Sequence, residues 1–108
     1  MNLLLDESVP KALGVLLEPH HVRTAQAAGF AGLLNGELLA AMKAAHYDIL
    51  ITFDQNLPYQ QNADLPVAVI VLKAVNNRVE TAVQFAPKLR AALQSGFAQR
   101  LLVLALND

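Results

Sequence analysis

The chain contains no cysteine among its 108 residues. This absence excludes disulfide bonds, thiolate zinc sites and cysteine nucleophiles, and it is typical of proteins in a reducing cytosol. Charged residues are also scarce, at 16%, and the formal net charge is −1. No global positive field would therefore attract nucleic acid, so any phosphate contact would depend on a local basic patch or on bound cations.

Long apolar segments are absent as well. No apolar run approaches the roughly 18 residues that a membrane helix needs. The first five residues, Met1 to Leu5, carry no basic lead of the kind that opens a signal peptide. We therefore expect a cytoplasmic protein with no membrane partner.

What the chain has in abundance is apolar residues, at 55% of the total with a mean hydropathy of +0.36. We expect residues 1–108 to form a single domain, and a domain of this size needs fewer apolar residues to fill its interior. Part of the apolar surface should therefore meet a partner, and we expect a homodimer.

Continuous apolar runs and one weaker segment predict five strands: Asn2 to Leu5, His20 to Thr24, Ile49 to Phe53, Val67 to Leu72 and Leu101 to Leu106. Helical spacing predicts three helices: Pro10 to Leu17, Asn35 to Ala45, and Val79 to Leu93, the last with a kink at Pro87 and an end at Gly96. A short helical segment is also predicted directly before Gly29. The clearest strands are apolar throughout, which is typical of parallel strands covered on both faces. The predicted fold is α/β, a three-layer α/β/α sandwich around a mostly parallel sheet of about five strands.

Acidic residues follow the predicted strands. Asp6 and Glu7 come directly after the first strand, Asp54 comes after the central strand, and Glu37 lies in the first turn of the intervening helix. Ligands of such sheets sit outside the carboxyl ends of the strands, so these four residues could converge on one edge. Their mutual repulsion would be relieved by a cation, and Mg²⁺ or Mn²⁺ suits carboxylate ligands.

Each carboxylate also has a purely structural explanation. Asp6 can end a strand, and Asp54 can cap a turn. Glu7 and Glu37 can each favour the dipole of a neighbouring helix. The joint placement of the four residues favours a functional site over these separate explanations.

Polar residues also follow the Val67 to Leu72 strand. Arg78, together with Lys73, could contact phosphate. Asn77 could position water or phosphate, or it could serve only as a helix N-cap. The sequence leaves these alternatives open.

The segment "DQNLP", from Asp54 to Pro58, is similar to the phospho-acceptor corner of receiver domains, and the Asp6-Glu7 pair is similar to their acidic metal-binding pair. A receiver also needs a Thr or Ser after its fourth strand and a Lys after its fifth. This chain has Lys73-Ala74 and Leu106-Asn107 at those places. A receiver-like phospho-acceptor domain is therefore the least favoured alternative.

Four segments, "LLLDESVP", "NGELLAAM", "LITFDQNL" and "VAVIVLKAVNNR", extend over nearly the whole chain. In their order and spacing they resemble the PIN-like proteins of a bacterial family related to VapC-type toxins. The matching positions are Asp6, Glu7 and Pro10 in the first segment, Glu37 in the second, and Thr52 with Asp54 in the third.

The resemblance implies a PIN fold whose acidic residues bind Mg²⁺ or Mn²⁺ and hydrolyse the phosphodiester bonds of RNA. It also implies a toxin of a toxin–antitoxin pair, with a small antitoxin protein as partner. The catalytic metal ligands would be Asp6, Glu37 and Asp54, with Glu7 supporting the ion directly or through water. The supporting and phosphate-binding residues would be Thr52, Asn56, Asn77 and Arg78.

The chain departs from the family pattern at Asn35 and Asn56, where relatives often carry aspartate. An amide oxygen can still bind a metal, but the loss of two negative charges lowers the affinity for a cation. Two hypotheses follow from the sequence. The first is a metal-dependent endoribonuclease, and the second is a catalytically weakened PIN-like module that binds proteins.

Overall fold

The computed structural model describes residues 1–33, 35–55, 65–96 and 100–106, and of Asn35 only the backbone. Ten elements follow one another in these residues: β1 (Asn2–Leu5), α1 (Ala12–Val15), β2 (His21–Thr24), α2 (Ala25–Ala28), α3 (Asn35–Ala44), β3 (Ile49–Thr52), β4 (Ala68–Lys73), α4 (Val79–Gln84), α5 (Ala86–Ser95) and β5 (Leu101–Ala105).

The strands form one five-stranded sheet in the order β2-β1-β3-β4-β5. Each neighbouring pair is parallel. All four residues of the central strand β3 are buried, as expected for a strand that is covered on both faces. The predicted α/β sandwich with a mostly parallel sheet is therefore confirmed, and the sheet is parallel throughout.

Side chains alternate between two hydrophobic cores, because successive residues of a strand point to opposite faces of the sheet. Ile49 and Ile51 lie in the core that contains buried residues of α1, α4 and α5. Leu50 lies in the other core, which contains buried residues of α2 and α3. The sheet is thus the middle of three layers.

The short helical segment before Gly29 is confirmed as α2. The hydroxyl of Thr24 accepts a hydrogen bond from the backbone N–H of Ala27 at 3.1 Å, which caps the start of the helix. Gly29 ends the helix with φ at 84°, a left-handed conformation that glycine adopts with little strain.

The prediction of a single kinked helix from Val79 to Leu93 is wrong, because the structure has two helices there, α4 and α5, which are separated at Phe85. Pro87 lies in the first turn of α5. A proline lacks the N–H that a continuous helix would use, and its ring would clash with the carbonyl of Val83, four residues earlier. The proline therefore begins a new helix, and Gly96 ends it as predicted.

The helix predicted from Pro10 to Leu17 is shorter in the structure, where α1 contains only four residues. Lys11 is the N-cap of this helix and makes no side-chain capping bond. Serine is a residue type that often caps helices, but the hydroxyl of Ser8 binds to Asp6 and does not cap α1.

The strand order reverses between β1 and β3, which lie side by side in the centre of the sheet. The buried Leu13 of α1, between β1 and β2, belongs to one core, whereas α2 and α3, between β2 and β3, supply residues to the other. In doubly wound sheets, a crevice opens at the carboxyl end of such a switch point and receives the ligand. Asp6 and Asp54 follow the two strands that flank it.

Candidate functional site

The carboxyl ends of β1 and β3 are joined through the hydroxyl of Thr52. This hydroxyl donates a hydrogen bond to the carboxylate of Asp6 and accepts one from the backbone N–H of Asp54 at 2.9 Å. Thr52 is fully buried, and a buried polar group needs such internal partners. One side chain thus connects the carboxylate of Asp6 to the backbone of Asp54.

Ser8 provides a second connection between the same strand ends. Its backbone N–H donates to Oδ1 of Asp6 at 2.8 Å, and its hydroxyl donates to the same oxygen. The hydroxyl also accepts a hydrogen bond from the backbone N–H of Phe53 at 3.2 Å. We did not predict Ser8 as a site residue. The signal in the sequence is Asp6, because an aspartate side chain often accepts a hydrogen bond from the backbone N–H two residues later in a turn.

The segment after β4 reaches the same edge of the sheet. The side-chain amide of Asn77 donates to the carbonyl of Ser8 at 3.0 Å. Arg78, not Asn77, is the N-cap of α4, and Oδ1 of Asn76 accepts hydrogen bonds from the Arg78 N–H at 3.0 Å and the Thr81 hydroxyl at 2.7 Å. Of the two alternatives for Asn77, the N-cap role is therefore excluded. Its contact with Ser8 lies beside Asp6.

Glu7 and Glu37 lie outside this hydrogen-bonded group. One carboxylate oxygen of Glu7 accepts from the backbone N–H of Gly32 at 3.0 Å, in the connection between α2 and α3. Glu37 lies in the first turn of α3, as predicted, and its side chain is exposed. Among residues 1–33, 35–55, 65–96 and 100–106, no group of three or more His, Asp or Glu side chains is arranged to hold a metal ion. The roles of these two glutamates as metal ligands stay predictions.

Two positions of the predicted site are not described. Asn56 lies outside the described residues, and so does the side chain of Asn35. The two departures from the family pattern therefore fall where the structure gives no contacts.

Carboxylate oxygens such as those of Asp6 are ligands that a hard divalent cation prefers. Mg²⁺ is usually held by one or two carboxylates, and it keeps several water ligands. The carboxylate of Asp6 accepts three hydrogen bonds, two on Oδ1 and one on Oδ2. Because an ionised carboxylate has about four acceptor positions, one remains for a cation. The Asp6 carboxylate therefore has room for one contact with a cation, and the roles of Asp6 and Asp54 as metal ligands stay predictions.

The chain has no significant match among protein-family models, curated proteins or solved structures. In the part of the chain that the structure describes, no helix is long and apolar enough to cross a membrane. The fold and the site define the class: an α/β protein with a doubly wound parallel sheet and two aspartates at its switch point.

Proposed function

We propose that this protein is a Mg²⁺- or Mn²⁺-dependent endoribonuclease of PIN type, the toxin of a toxin–antitoxin pair. The observation that carries the proposal is the bridge from Asp6 through Thr52 to Asp54 at the switch point of the sheet. Ligands bind at this place in doubly wound sheets, and two carboxylates there suit a divalent cation. The choice of RNA as substrate, and of a small antitoxin as partner, comes from the resemblance to PIN-like proteins.

Asp6 and Asp54 would hold the cation, with Glu37 as a further ligand and Glu7 acting directly or through water. When bound, the cation supplies positive charge to the phosphate and activates water for hydrolysis. The hydroxyls of Thr52 and Ser8 donate to both oxygens of the Asp6 carboxylate and so fix its orientation before any ligand arrives. Such preorganisation lowers the ordering cost of binding.

The basic residues would bind the substrate rather than the metal. Arg78 is exposed at the start of α4, directly after Asn77, whose amide contacts Ser8. An arginine can form two parallel hydrogen bonds with a phosphate group. Because the net charge of the chain is −1, this local cation and the bound metal would have to provide the attraction for RNA.

Cleavage of a labelled RNA by the purified chain, with Mn²⁺, with Mg²⁺ and with excess EDTA, tests this proposal. We expect cleavage only with the divalent cations, and we expect Asp54→Asn and Asp6→Asn to abolish it. Asp48→Asn is the matched control, because Asp48 lies at the opposite, amino end of β3, where its carboxylate accepts a hydrogen bond from the Asn2 N–H at 2.8 Å.

Circular dichroism of each variant would separate loss of chemistry from loss of folding. Metal-dependent cleavage that persists in the folded Asp54→Asn protein would contradict the proposal. Cleavage that resists EDTA would contradict it as well, because it would show that the reaction needs no cation.

A second candidate is a PIN-like interaction module that pairs with itself or with a small antitoxin-like protein. It is supported by the three internal hydrogen bonds that already occupy the Asp6 carboxylate. Exposed large apolar side chains also support it: Met1, Val15, Leu16, Leu33, Val75, Val79 and Val103. Absence of Mn²⁺ binding in calorimetry at millimolar metal, together with a stable dimer in sedimentation, would favour this module over the nuclease.

The strand order of the sheet also occurs in receiver domains, so the fold alone does not separate the receiver-like alternative from the nuclease. The residues at the strand ends do distinguish them. The strand β4 ends at Lys73 and is followed by Ala74, so the hydroxyl that a receiver places after its fourth strand is replaced by a methyl group. A phosphoryl group on Asp54 would lack this contact.

A further inference from the structure

A groove of 620 Å³ lies at the carboxyl edge of the sheet, beside the candidate metal site. It is lined by residues at or just after the ends of β3, β4 and β5 and by two residues of α4: Gln55, Lys73, Ala74, Val75, Thr81, Gln84, Ala105 and Leu106. Gln55 directly follows Asp54, and its side-chain amide donates to the carbonyl of Ala74 at 3.0 Å. The lining of the groove therefore includes the residue that directly follows Asp54.

The size and lining of the groove suit a nucleotide. Its volume falls within the range of about 300–1,000 Å³ that is typical of small-molecule sites. The amide nitrogens of Gln55 and Gln84 each donate to a backbone carbonyl, and their amide oxygens can accept hydrogen bonds from the edge of a base. Val75, which is fully exposed, provides an apolar surface for the face of the base.

The charge at the groove favours an anion. Lys73 is the only charged residue among the described residues that line it. A phosphate beside the groove would thus meet positive charge without an opposing carboxylate from the lining.

We propose that this groove binds the nucleotide of a single-stranded RNA next to the scissile phosphate, with the base against Val75 and the phosphate at Lys73. The assignment of RNA rests on the proposed nuclease function. It adds to that function a binding site, separate from the acidic residues, that would hold the strand while its neighbouring phosphate lies at Asp6 and Asp54.

Fluorescence anisotropy with a short labelled oligouridylate tests the groove without any cleavage. The full chain would be titrated in EDTA over a series of NaCl concentrations. We expect Lys73→Gln to weaken binding and to lower the slope of log K against log salt by about 0.7, the value for one phosphate contact to a single strand. Lys43→Gln is the matched control, since Lys43 is an exposed lysine in the last turn of α3, and it should leave the slope unchanged.

A substitution that adds a stacking surface gives an independent measurement. We expect Val75→Tyr to tighten binding by about fivefold or more, because a base that stacks on an aromatic ring gains at least that much, and to leave the salt slope unchanged. Val15→Tyr is the matched control, because Val15 is an exposed valine on α1 and does not line the groove.

The outcomes separate this proposal from the nuclease itself. An unchanged salt slope in Lys73→Gln, equal tightening in both tyrosine variants, or no binding at the lowest salt overturns the groove as an RNA site, even if the chain cleaves RNA. The expected shifts in a chain that shows no metal-dependent cleavage support the groove and overturn the nuclease.

Discussion

Replacement of Thr52 by valine would remove the buried hydroxyl that joins Asp6 to Asp54, and it would keep the β-branched shape of the side chain. The wild-type hydroxyl donates to the carboxylate of Asp6 and accepts from the N–H of Asp54. In the valine variant both of these partners lose a hydrogen bond. Because Thr52 has no exposed surface, water cannot replace the hydroxyl at its own position.

The magnitude follows from the two bonds. A hydrogen bond to a charged group contributes about 1.5–3 kcal/mol, and a neutral one contributes about 0.5–1.5 kcal/mol. Asp6 is half-buried and keeps the two bonds from Ser8, so the total should lie near the lower limit. We expect a loss of about 2 kcal/mol in the free energy of unfolding, which corresponds to a fall of roughly 8–16 °C in Tm.

Urea denaturation followed by circular dichroism measures this loss, with Thr52→Ser as the control. Serine keeps the hydroxyl and removes one buried methyl group, so it should cost only about 1 kcal/mol. If the serine variant were less stable than the valine variant, packing of the methyl group, and not the hydroxyl bridge, would explain the stability of this position.

Further predictions concern the backbone and the core, and urea denaturation measures each of them. Gly29→Ala should cost about 1–2 kcal/mol through strain alone, because φ is 84° and no atom lies within 4 Å of the added Cβ. Gly36→Ala, inside α3 and equally unobstructed, should instead stabilise the protein by up to about 0.5–1 kcal/mol, and equal effects at the two glycines would contradict the strain argument. Phe85→Ala should cost about 3–5 kcal/mol, because the ring is fully buried and packs edge-to-face on Phe53 at 6.0 Å. A loss below about 1 kcal/mol would show that the core collapses around the missing ring.

The elements that the sequence predicted best are those with a purely local cause. The run from Ile49 to Phe53, apolar except for Thr52, marks β3 to within one residue, because a strand that is buried on both faces is mostly apolar. The short helix α2 ends at Gly29 as the sequence predicted, because glycine readily adopts the left-handed conformation that ends a helix.

The elements that it predicted less well depend on competition between contacts. Helical spacing from Val79 to Leu93 continues across Pro87, but the missing N–H and the clash of the ring divide the helix in two. Serine is a residue type that often caps helices, yet the hydroxyl of Ser8 binds to Asp6, which comes within reach only in the folded turn. The local sequence pattern cannot show whether the Ser8 hydroxyl will bind to the start of the helix or to Asp6, because the second contact depends on the folded structure.

The sequence by itself determined the α/β class and the position of Asp6 and Asp54 after buried strands, because helical spacing, apolar runs and turn residues are local properties of the chain. Tertiary structure alone decided that β1 and β3 are neighbours, so that Thr52 bridges these two acids, and that Asn77 binds to Ser8 across 69 positions of the sequence. Tertiary structure also formed the groove beside Gln55, whose lining comes from three strand ends and one helix. Strand order depends on which apolar faces pack together, and the spacing of residues along the chain does not specify it.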